Sequence, residues 1–122
     1  MNKKNKGYIN NIVKALTELS LELKDKDAAY VLSIEDKLEE AYNQNINYLE
    51  AILYEEEAEL ENAPKGAKAA EDAKMAFKNV NKLDGAIDKL DSLVDALDNS
   101  MEGHDIVSRL NVVIDKLNEV NE

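Results

Sequence analysis

Apolar residues recur at alternating steps of three and four through the second half of this chain. The repeat runs unbroken through Ala73, Ala76, Val80, Leu83, Ile87, Leu90, Val94, Leu97 and Met101. Alternating steps of three and four keep side chains on one face of an α-helix, whereas a half-buried β-strand would need steps of two. The repeat therefore predicts a long helix over about residues 67–99 that packs against other helices through this seam.

Three shorter apolar stripes predict three more helices, over about residues 8–24, 34–62 and 105–121. Residues 28–32 either open the second of the four predicted helices or form a buried connector. The sharpest turn is expected at residues 62–66, because Pro64 cannot continue a helix and Gly66 relieves the backbone. Gly103 is expected to end the third helix. Gly85 lies off the seam, where it either permits a close helix contact or is merely tolerated.

The stripes also predict which side chains are buried. In the second helix Asn45 lies where an apolar seam residue is expected, and a polar seam residue can fix helix register or oligomeric state. The predicted buried residues are Ile9, Ile12, Leu16, Leu19 and Leu23; Ile34, Leu38, Ala41, Asn45, Tyr48 and Ile52, with Leu49 and Leu53 widening this stripe; and Ile106, Leu110, Val113, Leu117 and Val120.

These elements predict an all-α, four-helix bundle-like fold in a single domain, residues 1–122, with a flexible N-terminus at residues 1–7. The two long helices form an antiparallel hairpin flanked by the two shorter ones. The short helices cover only part of the hairpin, so its far end, around residues 54–76, is expected to project. Self-association into a homodimer is one way to cover that end.

The net charge of −11 limits the kinds of partner. Nucleic acids and anionic membranes are bound through positive charge, so direct binding to either is not expected. No signal peptide, membrane span or lipidation motif is recognisable, and a cytoplasmic location in a bacterial host is expected. An acidic protein of this kind suits a basic surface on another protein, although solubility alone also accounts for such a charge.

Acidic residues flank the seam of the third helix as a stripe of single sign. The stripe comprises Asp84, Asp88, Asp91, Asp95, Asp98 and Glu102, and each member follows a seam residue by one position. Two interpretations remain open. The stripe is either an ordinary solvated face, paired with Lys14, Lys24 and Lys26 of the first helix, or a docking surface for a basic groove.

The second helix carries further acids near the predicted hairpin end. Tyr54, Glu55 and Glu56 are candidate partner-binding residues there, because an exposed tyrosine is a common interface anchor. Antiparallel pairing predicts cross-helix ion pairs that neutralise part of this charge: Glu50 with Lys78, Glu55 with Lys74, and Glu61 with Lys68.

The sequence contains no credible set of catalytic or metal-binding residues. The chain has no Cys, and its one histidine, His104, supports neither a di-iron bundle nor a zinc site. Residues 98–103 begin like a calcium-binding loop, but Arg109 stands where a bidentate glutamate is required. We therefore expect no catalytic residue, no metal and no cofactor, and a protein that is not an enzyme.

The segment from Leu38 to Leu97 resembles small acidic helical proteins carried by phages and prophages of Firmicutes. The similar elements are Tyr54-Glu55-Glu56-Glu57, Asn62-Ala63-Pro64, Ala69-Ala70-Glu71 and Ile87-Asp88-Lys89-Leu90, within about half of the chain. The resemblance implies a mobile-element origin, where such proteins often inhibit host defence nucleases or other nucleic-acid-binding proteins. It assigns no role to any residue.

Charge pattern and resemblance together predict a non-enzymatic inhibitor of phage type. Its acidic surface would compete with nucleic acid for a basic groove on a host protein, for example a nuclease in the manner of an anti-CRISPR protein. The alternative is a structural or assembly protein that self-associates as a helical bundle.

Overall fold

Five helices make up the part of the chain that the structure, a computed structural model, describes: residues 1–62, 67–97, 99 and 101–120, with the backbone alone at 67–70 and 72. The helices are α1 (Lys3–Leu23), α2 (Ala28–Ser33), α3 (Glu35–Glu61), α4 (Ala67–Asp95) and α5 (Gly103–Val120). The prediction of an all-α fold is confirmed. Residues 28–32 belong to a separate short helix, and the predicted turn at 63–66 lies outside the described residues.

The four long helices form an up-and-down bundle that is open along one side. α3 packs closely on α4, α4 on α5 and α5 on α1, whereas α1 and α3 meet only sparsely. Glu35 at the start of α3 lies with Leu93 near the end of α4 around a small cavity, so these two helices are antiparallel. The N–H of Gly103 donates to the carbonyl oxygen of Lys26 at 2.9 Å, which places the start of α5 beside the end of α1.

The N-terminal end of α1 lies earlier in the chain than the apolar stripe predicts. Asn2 caps the helix, because its side-chain oxygen accepts a hydrogen bond from the N–H of Asn5 at 2.7 Å. Asn5 is itself buried and donates through Nδ2 to Glu55 Oε2 at 2.7 Å. The expectation of a flexible segment at residues 1–7 is therefore wrong for residues 3–7. Because α1 reaches Glu55, the uncovered part of the hairpin is also shorter than the predicted 54–76.

The seams of the short helices were predicted correctly, and the seam of α3 in part. All five predicted residues of α1 and all five of α5 are buried. In α3 the predicted Leu38, Asn45, Leu49 and Ile52 are buried, whereas Ala41 is half-buried, Tyr48 is 54% exposed, and Tyr42 and Ile46 occupy the core instead. The buried residues of α3 are Leu38, Tyr42, Asn45, Ile46, Leu49, Ile52 and Glu56. The seam is rotated because Leu38, Leu49 and Ile52 form a wider apolar surface with Tyr42 and Ile46 than with Ala41 and Tyr48.

Two glycines occupy very different surroundings. Gly103 is buried at the first position of α5, and a Cβ there would overlap the carbonyl oxygen of Leu23. The prediction that Gly103 ends the third helix is wrong, because this glycine instead lets α5 begin against the end of α1. A Cβ on Gly85 would lie at an ordinary contact distance of 3.5–3.6 Å from the Lys116 side chain. Gly85 is therefore tolerated rather than required.

Alanine substitutions at the two glycines should have opposite effects on stability. We expect Gly85→Ala to raise the free energy of unfolding by about 1 kcal/mol, because alanine is the better helix former. We expect Gly103→Ala to lower it by about 2–3 kcal/mol, because backbone atoms must move to make room. Urea denaturation followed by circular dichroism measures both. A Gly103→Ala variant as stable as the parent would contradict the close approach of α5 to α1.

Candidate interaction surface

Four aspartates form an exposed line along α4. Asp84, Asp88, Asp91 and Asp95 are all exposed, and none takes part in an ion pair within the described part of the chain. Their spacing of four, three and four residues holds them on one side of the helix over roughly 16 Å. We refer to these four residues as the α4 acidic line.

The last two residues of the predicted stripe do not extend this line. Asp98 lies outside the described residues. Glu102 is exposed but follows the end of α4 at Asp95, in the segment before α5, where its carboxylate lies 3.2 Å from His104 Nδ1. The expectation of one helical stripe reaching Glu102 is therefore wrong, because α4 is shorter than predicted.

The lysines that were expected to neutralise the acidic line lie elsewhere. Lys14 and Lys24 belong to α1 or its C-cap, and α1 packs on α5 and sparsely on α3, without substantial contact with α4. Lys26 Nζ instead lies 4.9 Å from the centre of the Tyr30 ring. The prediction that lysines of the first helix pair with the acidic stripe is therefore wrong for the α4 acidic line.

Lys78 and Lys82 of α4 lie on a different side of the helix, towards α5. Lys82 forms an ion pair with Glu119 of α5. The hydrogen bond and charge of Lys82 hold the pKa of Glu119 below its usual range, and Lys116 and Lys78 lower this pKa further. Lys89 follows Lys82 by seven residues and so lies on the same face. Positive and negative side chains are therefore segregated on α4.

This segregation explains why two predicted cross-helix ion pairs do not form. No ion pair joins Glu50 to Lys78 or Glu55 to Lys74 among the described residues. Lys78 acts on Glu119 instead, and Glu55 accepts its hydrogen bond from Asn5. Matching positions along two helices ignored the angle of each side chain around its helix axis. The third predicted pair, Glu61 with Lys68, involves a side chain outside the described residues.

The α4 acidic line opposes the stability of its own helix in two ways. Like charges three or four residues apart each cost about 0.2–0.5 kcal/mol in a helix. Asp91 and Asp95 also lie at the C-terminal end of α4, where the helix dipole disfavours negative charge, and its last turn contains no basic residue. Stability of α4 therefore does not account for these aspartates.

The other three candidate residues differ in accessibility. Tyr54 is 75% exposed, as an interface anchor must be, and Glu55 is exposed while bonded to Asn5. Glu56 is 0% exposed. A partner cannot reach its carboxylate in this conformation, so its inclusion in an accessible acidic surface is wrong.

Glu56 is instead part of a buried polar layer with Asn5 and Asn79, both also buried. The α-amino group of Met1 lies 4.0 Å from Glu56 Oε1, yet neither carboxyl oxygen makes a well-formed hydrogen bond. Desolvation raises the pKa of Glu56 above its usual value of 4.5, Glu59 and Glu55 raise it further, and the ammonium of Met1 and the Asn79 side chain oppose the rise. The folded state therefore favours the protonated form.

A sequence signal for these buried polar residues exists and was missed. The seam of α1 contains Ile9 and Ile12, and one further step of four towards the N-terminus reaches Asn5. The observed seam of α3 contains Leu49 and Ile52, and the next step of four reaches Glu56. Extending each three-and-four repeat past its last apolar residue would have identified both.

In residues 1–62, 67–97, 99 and 101–120 no three His, Cys, Asp or Glu residues are grouped in a way that could hold a metal ion. No helix in that same part of the chain combines the length and apolar character needed to cross a membrane. Comparison with family models, curated proteins and solved structures found no significant match for this chain.

Replacing Glu56 by glutamine should stabilise the protein at neutral pH. Because the folded state raises the pKa of this carboxyl, it binds the proton more tightly than the unfolded chain does. The contribution of Glu56 to stability is therefore greatest below its usual pKa of 4.5 and is lost as the pH rises through the higher folded pKa. Glu56→Gln removes this pH-dependent loss of stability. We therefore expect the variant to melt at a higher temperature than the parent at pH 7.5, and its melting temperature to fall less than that of the parent between pH 4.5 and 7.5.

Glu57→Gln is the matched control, since Glu57 is an exposed neighbour and the charge change is identical. Melting curves of both variants and the parent across this pH range separate burial from net charge. A lower melting temperature for Glu56→Gln than for Glu57→Gln at pH 7.5 would mean that the ion pair with the Met1 amino group outweighs desolvation.

Proposed function

We propose that this protein is a non-enzymatic binding protein that docks the α4 acidic line on a basic surface of another protein, with Tyr54 of α3 as a further candidate contact. The observation that carries the proposal is the unpaired state of the line. Four exposed aspartates remain without a positive partner in the described residues, although lysines on the same helix pair towards α5. A positive surface from outside would supply the missing charge.

The α4 acidic line contributes mainly to the specificity of the interaction and to its association rate. Complementary charge accelerates encounter and excludes partners of the wrong sign, while exposed acids at a rim add little affinity. Affinity then requires an anchor that becomes buried, and tyrosine is among the residues enriched in that role. Tyr54, at 75% exposure, offers the largest unburied aromatic surface on α3.

A specific form of this function is inhibition of a host nucleic-acid-binding protein. Such proteins bind phosphates through grooves rich in lysine and arginine, so an acidic face of this length competes for the same groove. The resemblance to small acidic phage proteins supports this form, and a defence nuclease such as a CRISPR effector is the corresponding partner. The site of action is then the cytoplasm of the bacterial host, and no nucleic acid is bound directly.

Self-association as a structural or assembly protein is the second candidate. It is favoured by Met75 and Phe77, which are 54% and 58% exposed on the part of α4 beyond the buried polar layer. Self-association is one way to bury large apolar side chains of this kind. Sedimentation velocity separates the candidates: a dimer that persists in 1 M NaCl favours apolar self-association, and a monomer favours acidic docking.

Charge reversal tests the docking surface directly. The variant Asp88→Lys, Asp91→Lys and Asp95→Lys is compared with the parent for binding to a panel of purified host nucleases and other DNA-binding proteins. We expect at least a tenfold loss of affinity for the cognate partner, together with competition between the parent protein and DNA, because the reversed face repels a basic groove.

The matched control carries the same charge change on exposed acids elsewhere: Asp25→Lys, Glu61→Lys and Asp115→Lys. Circular dichroism verifies that both triple variants are folded. Binding that weakens equally in the two variants would reflect net charge alone. Undiminished binding by the variant reversed at Asp88, Asp91 and Asp95 would contradict docking through the α4 acidic line.

A further inference from the structure

The open side of the bundle, between α1 and α3, contains a groove that is closed at both ends. At one end Asn5 Nδ2 of α1 donates to Glu55 Oε2 of α3 at 2.7 Å. At the other end Lys37 Nζ of α3 lies 2.9 Å from Glu22 Oε1 of α1. These two contacts hold the helices together at their ends, while the stretch between them is only sparsely in contact.

The groove is wide because small side chains line its middle. Ala15 of α1 and Ala41 of α3 face it, and neither is large enough to fill the space between the helices. The volume is about 610 Å³, and the apolar lining comes from Tyr8, Ile12, Ala15, Leu19, Ala41 and Tyr48. From Tyr8 to Glu22 the groove is roughly 20 Å long, or about four turns of helix.

One buried polar group lines the groove with an unused acceptor. Asn45 is 8% exposed and forms part of the lining. Its Nδ2 donates to the carbonyl oxygen of Ala41 at 2.9 Å, whereas its Oδ1 accepts no hydrogen bond from the described residues. This oxygen is therefore free to accept a hydrogen bond from an occupant of the groove.

The charges around the groove favour a cationic occupant. Glu22 and Lys37 neutralise each other, which leaves Glu18 exposed on the wall without an ion pair in the described part of the chain. Tyr48 exposes about half of its surface beside it, whereas the Tyr8 ring already carries a cation, because Lys4 Nζ lies 5.7 Å from its centre. Aromatic faces and a free carboxylate both attract ammonium and guanidinium groups. A second copy of this chain would bring a net charge of −11 instead.

We propose that this groove binds one amphipathic, basic α-helix of a partner protein. Apolar side chains of that helix, spaced i, i+4 and i+7, pack against Ala15, Ala41 and the exposed ring of Tyr48. A lysine or arginine on its flank pairs with Glu18, and a polar donor reaches Asn45 Oδ1. The groove lies between α1 and α3 and shares no residue with the α4 acidic line, so it is a separate binding surface and does not depend on the proposed function.

A displayed library of 14-residue helical peptides, selected on the full-length protein, tests this proposal. The chain has no tryptophan, so Tyr48→Trp places a single fluorescent reporter at the groove for titration of the selected peptides. We expect the selected peptides to be amphipathic, richer in Lys and Arg than in Asp and Glu, and to shift the emission of this reporter.

Filling the groove should abolish binding without harming the fold. Ala15 is exposed, so Ala15→Trp occupies the groove at little cost, and Ala41→Leu is a second filling variant from the opposite wall. We expect at least a tenfold loss of affinity for either, and a smaller loss for Glu18→Gln. Leu21→Trp is the matched control, because Leu21 is 70% exposed on α1 and does not line the groove.

Four results would overturn the proposal. They are a selection that enriches no peptide, selected peptides that are predominantly acidic, equal affinity for the filled and control variants, and a dimer of the parent protein that Ala15→Trp dissociates. The last result would identify a second copy as the occupant. Melting curves of each variant establish that a loss of binding is not a loss of fold.

Discussion

The close packing of α5 between α1 and α4 is the constraint on which the rest of this structure depends. α1 has little contact with α3, so its position is set by α5 and by the tight approach of Gly103 to the end of α1. The open side of the bundle follows from this arrangement. So does the separation of the first helix from the α4 acidic line, because α5 and α3 are the neighbours of α4.

The two ends of the bundle are closed in different ways. At the end near α2, a close backbone approach joins Gly103 to the chain after α1, and Val31 adds a buried apolar side chain. At the opposite end the seams of α1 and α3 finish in polar residues, Asn5 and Glu56, with Asn79 of α4 beside the carboxylate. Polar contacts replace apolar packing at that end, and the pKa of Glu56 is raised there. The stability of this end should therefore be the more sensitive to pH.

Periodicity predicted those parts of the fold in which one apolar face is unambiguous. The seams of α1 and α5 are of this kind, and every predicted position in them is buried. α3 offers two overlapping stripes, and choosing between Ala41 with Tyr48 and Tyr42 with Ile46 required knowing which neighbours it meets. The burial of Glu56 follows from one further step of four beyond Ile52, although the charge of this residue does not distinguish it from Glu55 or Glu57.

Charge patterns predicted the candidate surface only in part. The spacing of Asp84, Asp88, Asp91 and Asp95 was sufficient to place them on one exposed face of a helix. Their counter-charges could not be inferred, because an ion pair depends on the angle around each helix axis and on which helices are neighbours. Lys78 illustrates this. Its position along the hairpin suggested an ion pair with Glu50, whereas its side of α4 faces α5, where it lowers the pKa of Glu119.

The fold does not need the charge of the α4 acidic line. The most direct test is the melting temperature of the parent and of the variant Asp84→Asn, Asp88→Asn, Asp91→Asn and Asp95→Asn, measured from 20 mM to 500 mM NaCl. Removing three like-charge neighbour pairs, worth roughly 1 kcal/mol in total, should raise the melting temperature at low salt by about 4 °C, and the difference should shrink as salt screens the repulsion. A variant that melts below the parent at low salt would show that these aspartates have partners within the fold and would contradict the account.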